Sequence, residues 1–355
     1  MDEGVVPSST PSPSPRRSSA VALVVMIVVV VLAAVLVFVF LLSQQNSNGN
    51  TNKVAVCRVS TDSPQTEETI MVDSGAAAGK AAEGLSYSGP CAEYGGSGEM
   101  GKGSFTAYTQ FDGSKPLTMG VLAPAKTFKD LPTNPPNEGL YCADKNQDGT
   151  TDREMECSGG YERQITMGHK ATQNKEFPFT YSLINWNPTG HVPPHVYNVP
   201  HFDIHFYMDF TNAERLAIRP GTCDILVNCE DVEKLKAIPD AKYLPAGYTI
   251  QAPEPAMGNH MIDAEGHEWH QNDSFTHSFI YGVSNKEVIY YEPMVTLKWF
   301  EGLIAGTTEN QCFDIKKPEA WQKTAYYPTK YCLDYVKNRD EVRAYLSDFV
   351  LRQAS

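Results

Sequence analysis

Residues 201–210, HFDIHFYMDF, bring imidazole and carboxylate groups together in a strictly alternating pattern. Side chains in a β-strand point alternately to opposite faces, so this pattern predicts a half-buried strand. The even positions carry Phe, Ile and Met and would face a hydrophobic core. The odd positions would share the other face, and they are His201, Asp203, His205, Tyr207 and Asp209.

This polar row predicts a site for a divalent transition metal, because imidazole and carboxylate are the usual ligands of zinc, manganese, iron and copper. Residues i and i+2 of a strand lie about 6.6 Å apart and can bind one ion. Residues i and i+4 lie about 13 Å apart and cannot do so without a bulge. His201 and His205 should therefore not share an ion, and the expected pair is His201 with Asp203 or Asp203 with His205.

The remaining ligands of such a site would come from other segments. The nine histidines of the chain all lie between residues 169 and 277, a clustering that random scatter would rarely produce. The candidates that would complete the site are His195, His260 and Glu292. The alternative is a hydrogen-bonded polar cleft without a metal, in which His–Asp pairs fix the orientation of the rings.

A second candidate site is a loop that resembles a calcium-binding loop. It offers oxygen ligands at positions one, three, five and nine, which are Asp144, Asn146, Asp148 and Asp152. The twelfth position is Met155, where an EF-hand has Glu, so the loop is not an EF-hand. A structural calcium ion is one interpretation, and an ordinary solvated turn is the other.

Other chemistries lack their motifs. The sequence contains no nucleophile elbow and no HExxH zinc motif. The formal net charge of −13 argues against nucleic acid as a partner.

Residues 20–42 predict a transmembrane helix. They contain no charged residue and no proline, and at 1.5 Å per residue they would span roughly 30 Å of hydrocarbon. The apolar part of a cleaved signal peptide is shorter, about 7–15 residues. Arg16 and Arg17 precede the segment and would keep residues 1–19 in the cytoplasm. The sequence therefore predicts a single-pass membrane protein whose bulk lies outside the cell or in the secretory lumen.

The cysteines agree with this orientation. All eight follow the predicted membrane segment and none forms a C-x-x-C pair, so we expect four disulfides. Sequence neighbours suggest one pairing among about 105: Cys57–Cys91, Cys142–Cys157, Cys223–Cys229 and Cys312–Cys332. Asn272 begins a glycosylation sequon that would be used in such a compartment.

The rest of the chain predicts a flexible linker followed by one mainly β domain. Residues 43–103 are rich in Asn, Gly, Ala and Ser and would form the linker. From residue 104 to 355, short aromatic and β-branched runs recur between Pro, Gly and Asn, as is typical of an antiparallel sandwich or barrel. Two segments have helical spacing, residues 230–238 and 340–351, and predict peripheral helices.

Several motifs together resemble an uncharacterised extracytoplasmic domain family, whose type member is a Thermus protein controlled by an extracytoplasmic-function sigma factor. They are HVPPH at residues 191–195, PHFDIHFY at 200–207, MGNHMID at 257–263, FTHSFIYG at 275–282 and EPM at 292–294. The resemblance covers roughly residues 105–303 and implies a mostly β domain whose His, Asp and Glu motifs converge. It implies no activity. A looser similarity to cupins lacks the cupin H-x-H spacing and is an analogy only.

We therefore expect a membrane-anchored extracytoplasmic domain whose His/Asp/Glu cleft binds a divalent metal or a small ligand. The alternatives are a metal-dependent enzyme, such as a hydrolase, a lyase or a cupin-like oxygenase, and a structural or adhesion module without a metal. A homo-oligomer is possible, and the sequence does not determine the oligomeric state.

Overall fold

The computed structural model describes residues 53–60, 66–82, 86–134, 139–142, 144, 147–152, 156–193, 195–224, 226–270 and 274–355. The predicted membrane segment at residues 20–42 lies outside them. Within the described ranges, no helix combines the length and the hydrophobicity needed to cross a bilayer.

The described chain is mainly β, as the sequence predicts. Its strands, in chain order, are β1 (Lys53–Val59), β2 (Glu67–Asp73), β3 (Ser86–Ser88), β4 (Glu93–Met100), β5 (Gly103–Asp112), β6 (Lys115–Pro124), β7 (Leu140–Cys142), β8 (Cys157–Gly159), β9 (Tyr161–Thr166), β10 (Phe179–Asn187), β11 (His201–Met208), β12 (Pro220–Asp224), β13 (Tyr248–Glu254), β14 (Gly258–Asp263), β15 (His277–Ser284), β16 (Glu287–Thr296), β17 (Gln311–Asp314), β18 (Ala325–Tyr327), β19 (Lys330–Val336), β20 (Glu341–Ser347) and β21 (Val350–Arg352).

Two antiparallel sheets form the body of residues 53–355. A seven-stranded sheet has the order β13-β14-β15-β16-β11-β10-β9, and a six-stranded sheet has the order β17-β19-β20-β6-β5-β4. A smaller sheet, β2-β1-β3, precedes them. All the described strand pairings within these three sheets are antiparallel, which confirms that part of the prediction.

The main hydrophobic core lies between the seven-stranded and the six-stranded sheets. Phe202 on β11 contacts Phe105 on β5 edge to face, with ring centroids 5.5 Å apart. Phe279 on β15 packs on Tyr331 of β19, with centroids 5.1 Å apart. The even positions of β11 all join this core, as the alternation predicts.

The prediction of a half-buried strand at residues 201–210 is wrong in one respect, because β11 is buried on both faces. It is an inner strand of the seven-stranded sheet, and its polar face lies under a second, smaller hydrophobic cluster. Tyr197 and Phe275, from segments outside the sheet, belong to this cluster. A strand's own alternation cannot reveal such a cover, because the cover comes from distant parts of the chain.

The described residues include five α-helices. They are α1 (Ser74–Ala82), α2 (His169–Gln173), α3 (Asn212–Leu216), α4 (Cys229–Lys236) and α5 (Leu297–Ala305). Short 3-10 turns occupy Ala125–Phe128, Ala241–Tyr243, His267–Trp269 and Lys337–Arg339.

The sequence predicted one of these helices correctly and misassigned another segment. Helix α4 confirms the prediction at residues 230–238, and Asn228 caps it by accepting hydrogen bonds from two backbone N–H groups. Residues 340–351 form β20 and β21 and not a helix. Strand β20 pairs with β19 and β6 inside the six-stranded sheet, and this pairing outweighs the local helical spacing.

The prediction of a flexible linker at residues 43–103 is wrong for the described part of this range, which contains β1 to β4 and α1. Its glycines serve close packing as well as turns. A side chain at Gly95 of β4 would meet the backbone oxygen of Thr166 on β9 at 2.2 Å. The glycine content that suggests a linker therefore lets β4 approach the edge of the seven-stranded sheet.

The four disulfides have the pairing of sequence neighbours that the sequence suggested: Cys57–Cys91, Cys142–Cys157, Cys223–Cys229 and Cys312–Cys332. None of the described cysteines is free. Four disulfides fit an extracellular or secreted location.

Candidate metal centre

The polar face of β11 is positioned by its two neighbouring strands. On β10, Asn185 lies opposite Asp203 and Leu183 lies opposite His205. On β16, Met294 lies opposite Asp203, and the same register sets Glu292 opposite His205. The odd residues of β11 therefore face a surface that this sheet builds from several strands.

Three buried residues from three strands form the first cluster, which we call the Glu292 triad: His205 of β11, His260 of β14 and Glu292 of β16. The Nε2 atom of His205 lies 3.4 Å from Oε1 of Glu292. The Nε2 atom of His260 lies 3.6 Å from Oε2 of the same carboxyl group. Two imidazoles thus approach one carboxyl group from different sides.

Gly282 on β15 makes this convergence sterically feasible. It pairs with His260 on one side and with Tyr290 on the other. A Cβ atom at Gly282 would lie 2.1 Å from the ring of Tyr290, so the ring occupies the space above the glycine. The same ring contacts the imidazoles of His205 and His260, with centroids 4.9 and 5.6 Å away.

The other ring nitrogens of the triad contact the backbone. Nδ1 of His205 lies 3.3 Å from the carbonyl oxygen of Leu183, and Nδ1 of His260 lies 3.2 Å from that of Ala252. A carbonyl oxygen only accepts, so each Nδ1 carries a proton and donates it. In a neutral ring this leaves the lone pair on Nε2, directed at Glu292. A backbone carbonyl on the remote nitrogen is the usual support of a metal-binding histidine.

The distances within the triad match those between ligands of one ion. Two atoms bound about 2.1 Å from a tetrahedral ion are about 3.4 Å apart. Nε2 of His205 and Oε2 of Glu292 are also buried without a hydrogen-bond partner. Two imidazole nitrogens and a carboxyl group at these distances are a donor set that fits one transition-metal ion.

Burial controls the protonation of this triad. It lowers the pKa of His205 to about 3, although the nearby Asp203 carboxylate opposes the shift. Burial, reinforced by Asp203 and Glu254, raises the pKa of Glu292 well above its ordinary value. Burial therefore favours a neutral imidazole at His205 and a protonated carboxyl group at Glu292.

His191, His201 and Asp203 form a second cluster, which we call the Asp203 triad. Nε2 of His201 lies 3.1 Å from Oδ1 of Asp203, and Nε2 of His191 lies 3.4 Å from its Oδ2. Asn187 on β10 donates a hydrogen bond of 2.6 Å to Oδ2. The triad combines strand residues with His191 from the loop before β11.

The Asp203 triad is governed by charge interactions. Burial would lower the pKa of His191, but the Asp203 carboxylate outweighs it and raises that pKa to about 9. Burial would likewise raise the pKa of Asp203, but His201 and His191 hold it well below its ordinary value. Without a metal, this triad therefore holds an imidazolium–carboxylate pair.

The structure brings together five of the six residues that the sequence proposed as metal ligands, and it divides them between the two triads. His201 and His205 lie in different triads, consistent with their spacing of four residues. His195 lies in neither triad and is exposed. The sequence missed His191, whose only signal was its place in the HVPPH motif, ten residues before the strand.

The acidic loop between β7 and β8 has local hydrogen bonds. The carboxylate of Asp144 accepts from the backbone N–H groups of Asp148 and Gly149, as in an ordinary turn. Asn146 lies outside the described residues, and so does Asn272 of the sequon. Calcium binding and glycosylation stay predictions.

An open cavity of about 910 Å³ lies beside the Asp203 triad, between helix α5 and the start of β11. Phe275, Trp299 and Leu297 are among its mainly apolar lining residues. The ring of Phe275 also contacts His201 edge to face, with centroids 5.4 Å apart. This ring therefore stands between the cavity and the triad.

Comparison of the chain with models of protein families, with curated proteins and with solved structures gives no match. The resemblance stated from the motifs therefore stays an expectation. What the site can do follows from its geometry.

Proposed function

We propose that this protein is an extracytoplasmic metal-binding protein, which holds a divalent transition-metal ion at the Glu292 triad. The ion is zinc, manganese, iron or copper, the metals that accept two imidazoles and one carboxylate. Residues 20–42 would tether the domain to a membrane, with the disulfide-containing part outside the cytoplasm.

One observation carries this proposal: the Nε2 atoms of two histidines converge on one buried carboxyl group. Nε2 of His205 and Oε2 of Glu292 have no hydrogen-bond partner there. Each buried polar group left unpaired costs about 1–3 kcal/mol. A cation at the centre satisfies all three ligand atoms at once. This common partner for two imidazoles and one carboxyl group supports the proposal.

Metal analysis of the purified full-length protein tests the proposal. We expect a transition metal in stoichiometric amount, and we expect Glu292→Gln to lower the content by about one equivalent per chain. Gln keeps the shape of Glu but removes the charge that binds the ion. The readout is the metal-to-protein ratio after purification without added chelator.

Glu268→Gln is the matched control. Glu268 is also buried, but it accepts hydrogen bonds from Tyr197 and Ser278 and belongs to neither triad. This variant should keep the metal content of the wild type. A wild-type protein without metal, or equal losses in the two variants, would contradict the proposal.

A metal-dependent enzyme is the second candidate function, and the cavity beside Phe275 favours it. A cavity of this size holds a small organic substrate. We would expect hydrolysis of an ester or phosphoester from a substrate panel only after metal loading. Turnover that is lost in Asp203→Asn but kept in Glu268→Gln would support catalysis over binding alone.

A further inference from the structure

The Asp203 triad has the same donor arrangement as the Glu292 triad. Nδ1 of His191 donates to the carbonyl oxygen of Val192, and Nδ1 of His201 donates to that of Val199, each at 2.7 Å. In a neutral ring, the lone pair of each Nε2 is then directed at Asp203. One carboxylate again faces two imidazole nitrogens, at 3.1 and 3.4 Å.

Each oxygen of the Asp203 carboxyl group faces one imidazole. Oδ2 faces His191 and also accepts a hydrogen bond from Asn187. Oδ1 lies 3.1 Å from Nε2 of His201, which is fully buried. One cation at the centre would satisfy His191, His201 and Asp203 together.

The two triads are neighbours on one face of the sheet. Asp203 and His205 are alternate residues of β11, and such residues lie about 6.6 Å apart along a strand. Glu254 of β13 lies close enough to interact electrostatically with both His191 and Glu292. The carboxyl groups of Asp203, Glu254 and Glu292 thus lie near one another, and such a group of acids favours bound cations.

We propose that the Asp203 triad is a second metal site, so that the domain holds two divalent transition-metal ions side by side on the outer face of its seven-stranded sheet. This inference rests on the proposed function, because the first ion is the one held by the Glu292 triad. It adds a second site with its own ligands.

The two ions should differ in how readily they exchange. The Glu292 triad is built from three strands, and its side chains are at most 8% exposed. The Asp203 triad depends on His191, a loop residue whose side chain is 16% exposed. Loops are more mobile than the strands they connect, so the ion at Asp203 is the one that a chelator removes first.

Metal stoichiometry tests the second site. The full-length protein is stripped with chelator, loaded with Cu²⁺ and desalted, and its copper content is measured. We expect two equivalents in the wild type and one in His191→Gln, which leaves the Glu292 triad intact. Glu292→Gln should also hold one, and His195→Gln, a neighbouring exposed loop histidine outside both triads, should hold two.

The distance between the ions needs a second measurement. Two Cu²⁺ ions about 7 Å apart, a separation set by alternate residues of one strand, should give a half-field transition in the electron paramagnetic resonance spectrum. We expect this signal in the wild type and in His195→Gln, and its loss in His191→Gln.

The outcomes separate this inference from the proposed function. One equivalent in the wild type, lost in Glu292→Gln and kept in His191→Gln, would overturn the second site and leave the first. No bound copper at all would overturn both. Two equivalents without a half-field signal would overturn the side-by-side arrangement.

Discussion

At the scale of single residues, Gly282 decides how closely the side chains of the Glu292 triad can approach. Its missing side chain leaves room for the ring of Tyr290, and this ring packs on both imidazoles. Gly282 binds nothing itself, yet the position of His205 and His260 depends on it. The geometry of the candidate metal centre therefore depends on residues that carry no ligand atom.

Gly282→Ala should weaken both the fold and the metal site. The new methyl group would overlap the Tyr290 ring, which cannot move without displacing a histidine. Overpacking of this kind costs about 1–3 kcal/mol of the free energy of unfolding. Denaturant unfolding gives the stability, and metal analysis should show loss of about one equivalent.

Gly79→Ala is the control for this substitution. A Cβ at Gly79 in helix α1 meets no atom within 4 Å, and Ala favours a helix over Gly by about 1 kcal/mol. This variant should be as stable as the wild type or more stable, with its metal content unchanged. Equal effects of the two variants would contradict the role assigned to Gly282.

His277 should make the protein less stable in acid. Burial, together with His267, lowers the pKa of His277 from 6.5 to about 4. The unfolded chain therefore binds the proton first as the pH falls, and stability is lost between about pH 6.5 and pH 4. Between pH 7 and pH 4.5, the wild type should lose about 2 kcal/mol more of its free energy of unfolding than His277→Gln.

Denaturant unfolding at the two pH values measures this difference. The control, His169→Gln, replaces an exposed histidine of helix α2. Between the two pH values it should lose as much stability as the wild type loses. The packing of His277 against Phe313 and Trp299, with ring centroids 4.0 and 4.8 Å away, explains its burial. Parallel acid dependence in the wild type and His277→Gln would disprove the assignment.

At the scale of secondary-structure elements, the sequence predicted β11 well because its alternation is a local property. Phe202, Ile204 and Phe206 all enter the main core as expected. The spacing rule also separated His201 from His205, since it follows from strand geometry alone. The approach of His260 and Glu292 depends on strand order, which no local pattern determines.

Other elements were predicted poorly where distant contacts decide the outcome. Helix α5 follows directly on β16 and is not among the two helices that the sequence predicted. Thr296 ends the strand and caps the helix by accepting a hydrogen bond from the N–H of Trp299. The contribution of His191 likewise depends on the loop that returns it to β11, and its sequence signal was only a motif.

At the scale of the whole molecule, the metal centre is enclosed by the sheet and by the segments that cover it. The six-stranded sheet packs on one side of β11, and Tyr197 and Phe275 belong to the cluster on the other. Burial strengthens the electrostatic interactions of the polar groups beneath the cover and makes an unpaired group costly. The cover would shield an ion bound at the proposed site from solvent.

The disulfides stabilise this assembly to different extents. Cys57–Cys91 spans 34 residues and lies in the first part of the described chain, whereas Cys223–Cys229 spans 6 residues beside helix α4. A disulfide restricts the unfolded chain more when its loop is longer. The chain-entropy relation gives about 4 kcal/mol for the longer loop and about 2 kcal/mol for the shorter one.

Removing Cys57–Cys91 should therefore lower the free energy of unfolding by more than removing Cys223–Cys229. Cys57 is fully buried beside Val59 and Tyr87 in a small core of its own, so the double variant Cys57→Ala/Cys91→Ala should also loosen the β2-β1-β3 sheet. Denaturant unfolding measures the first effect, and limited proteolysis should show earlier cleavage within residues 53–100.

The control is Cys223→Ala/Cys229→Ala, which should keep the wild-type cleavage pattern in that range. Equal destabilisation and identical cleavage in the two double variants would show that the small sheet is held by its ion pairs, such as Arg339 with Glu67 at 3.2 Å, and not by its disulfide.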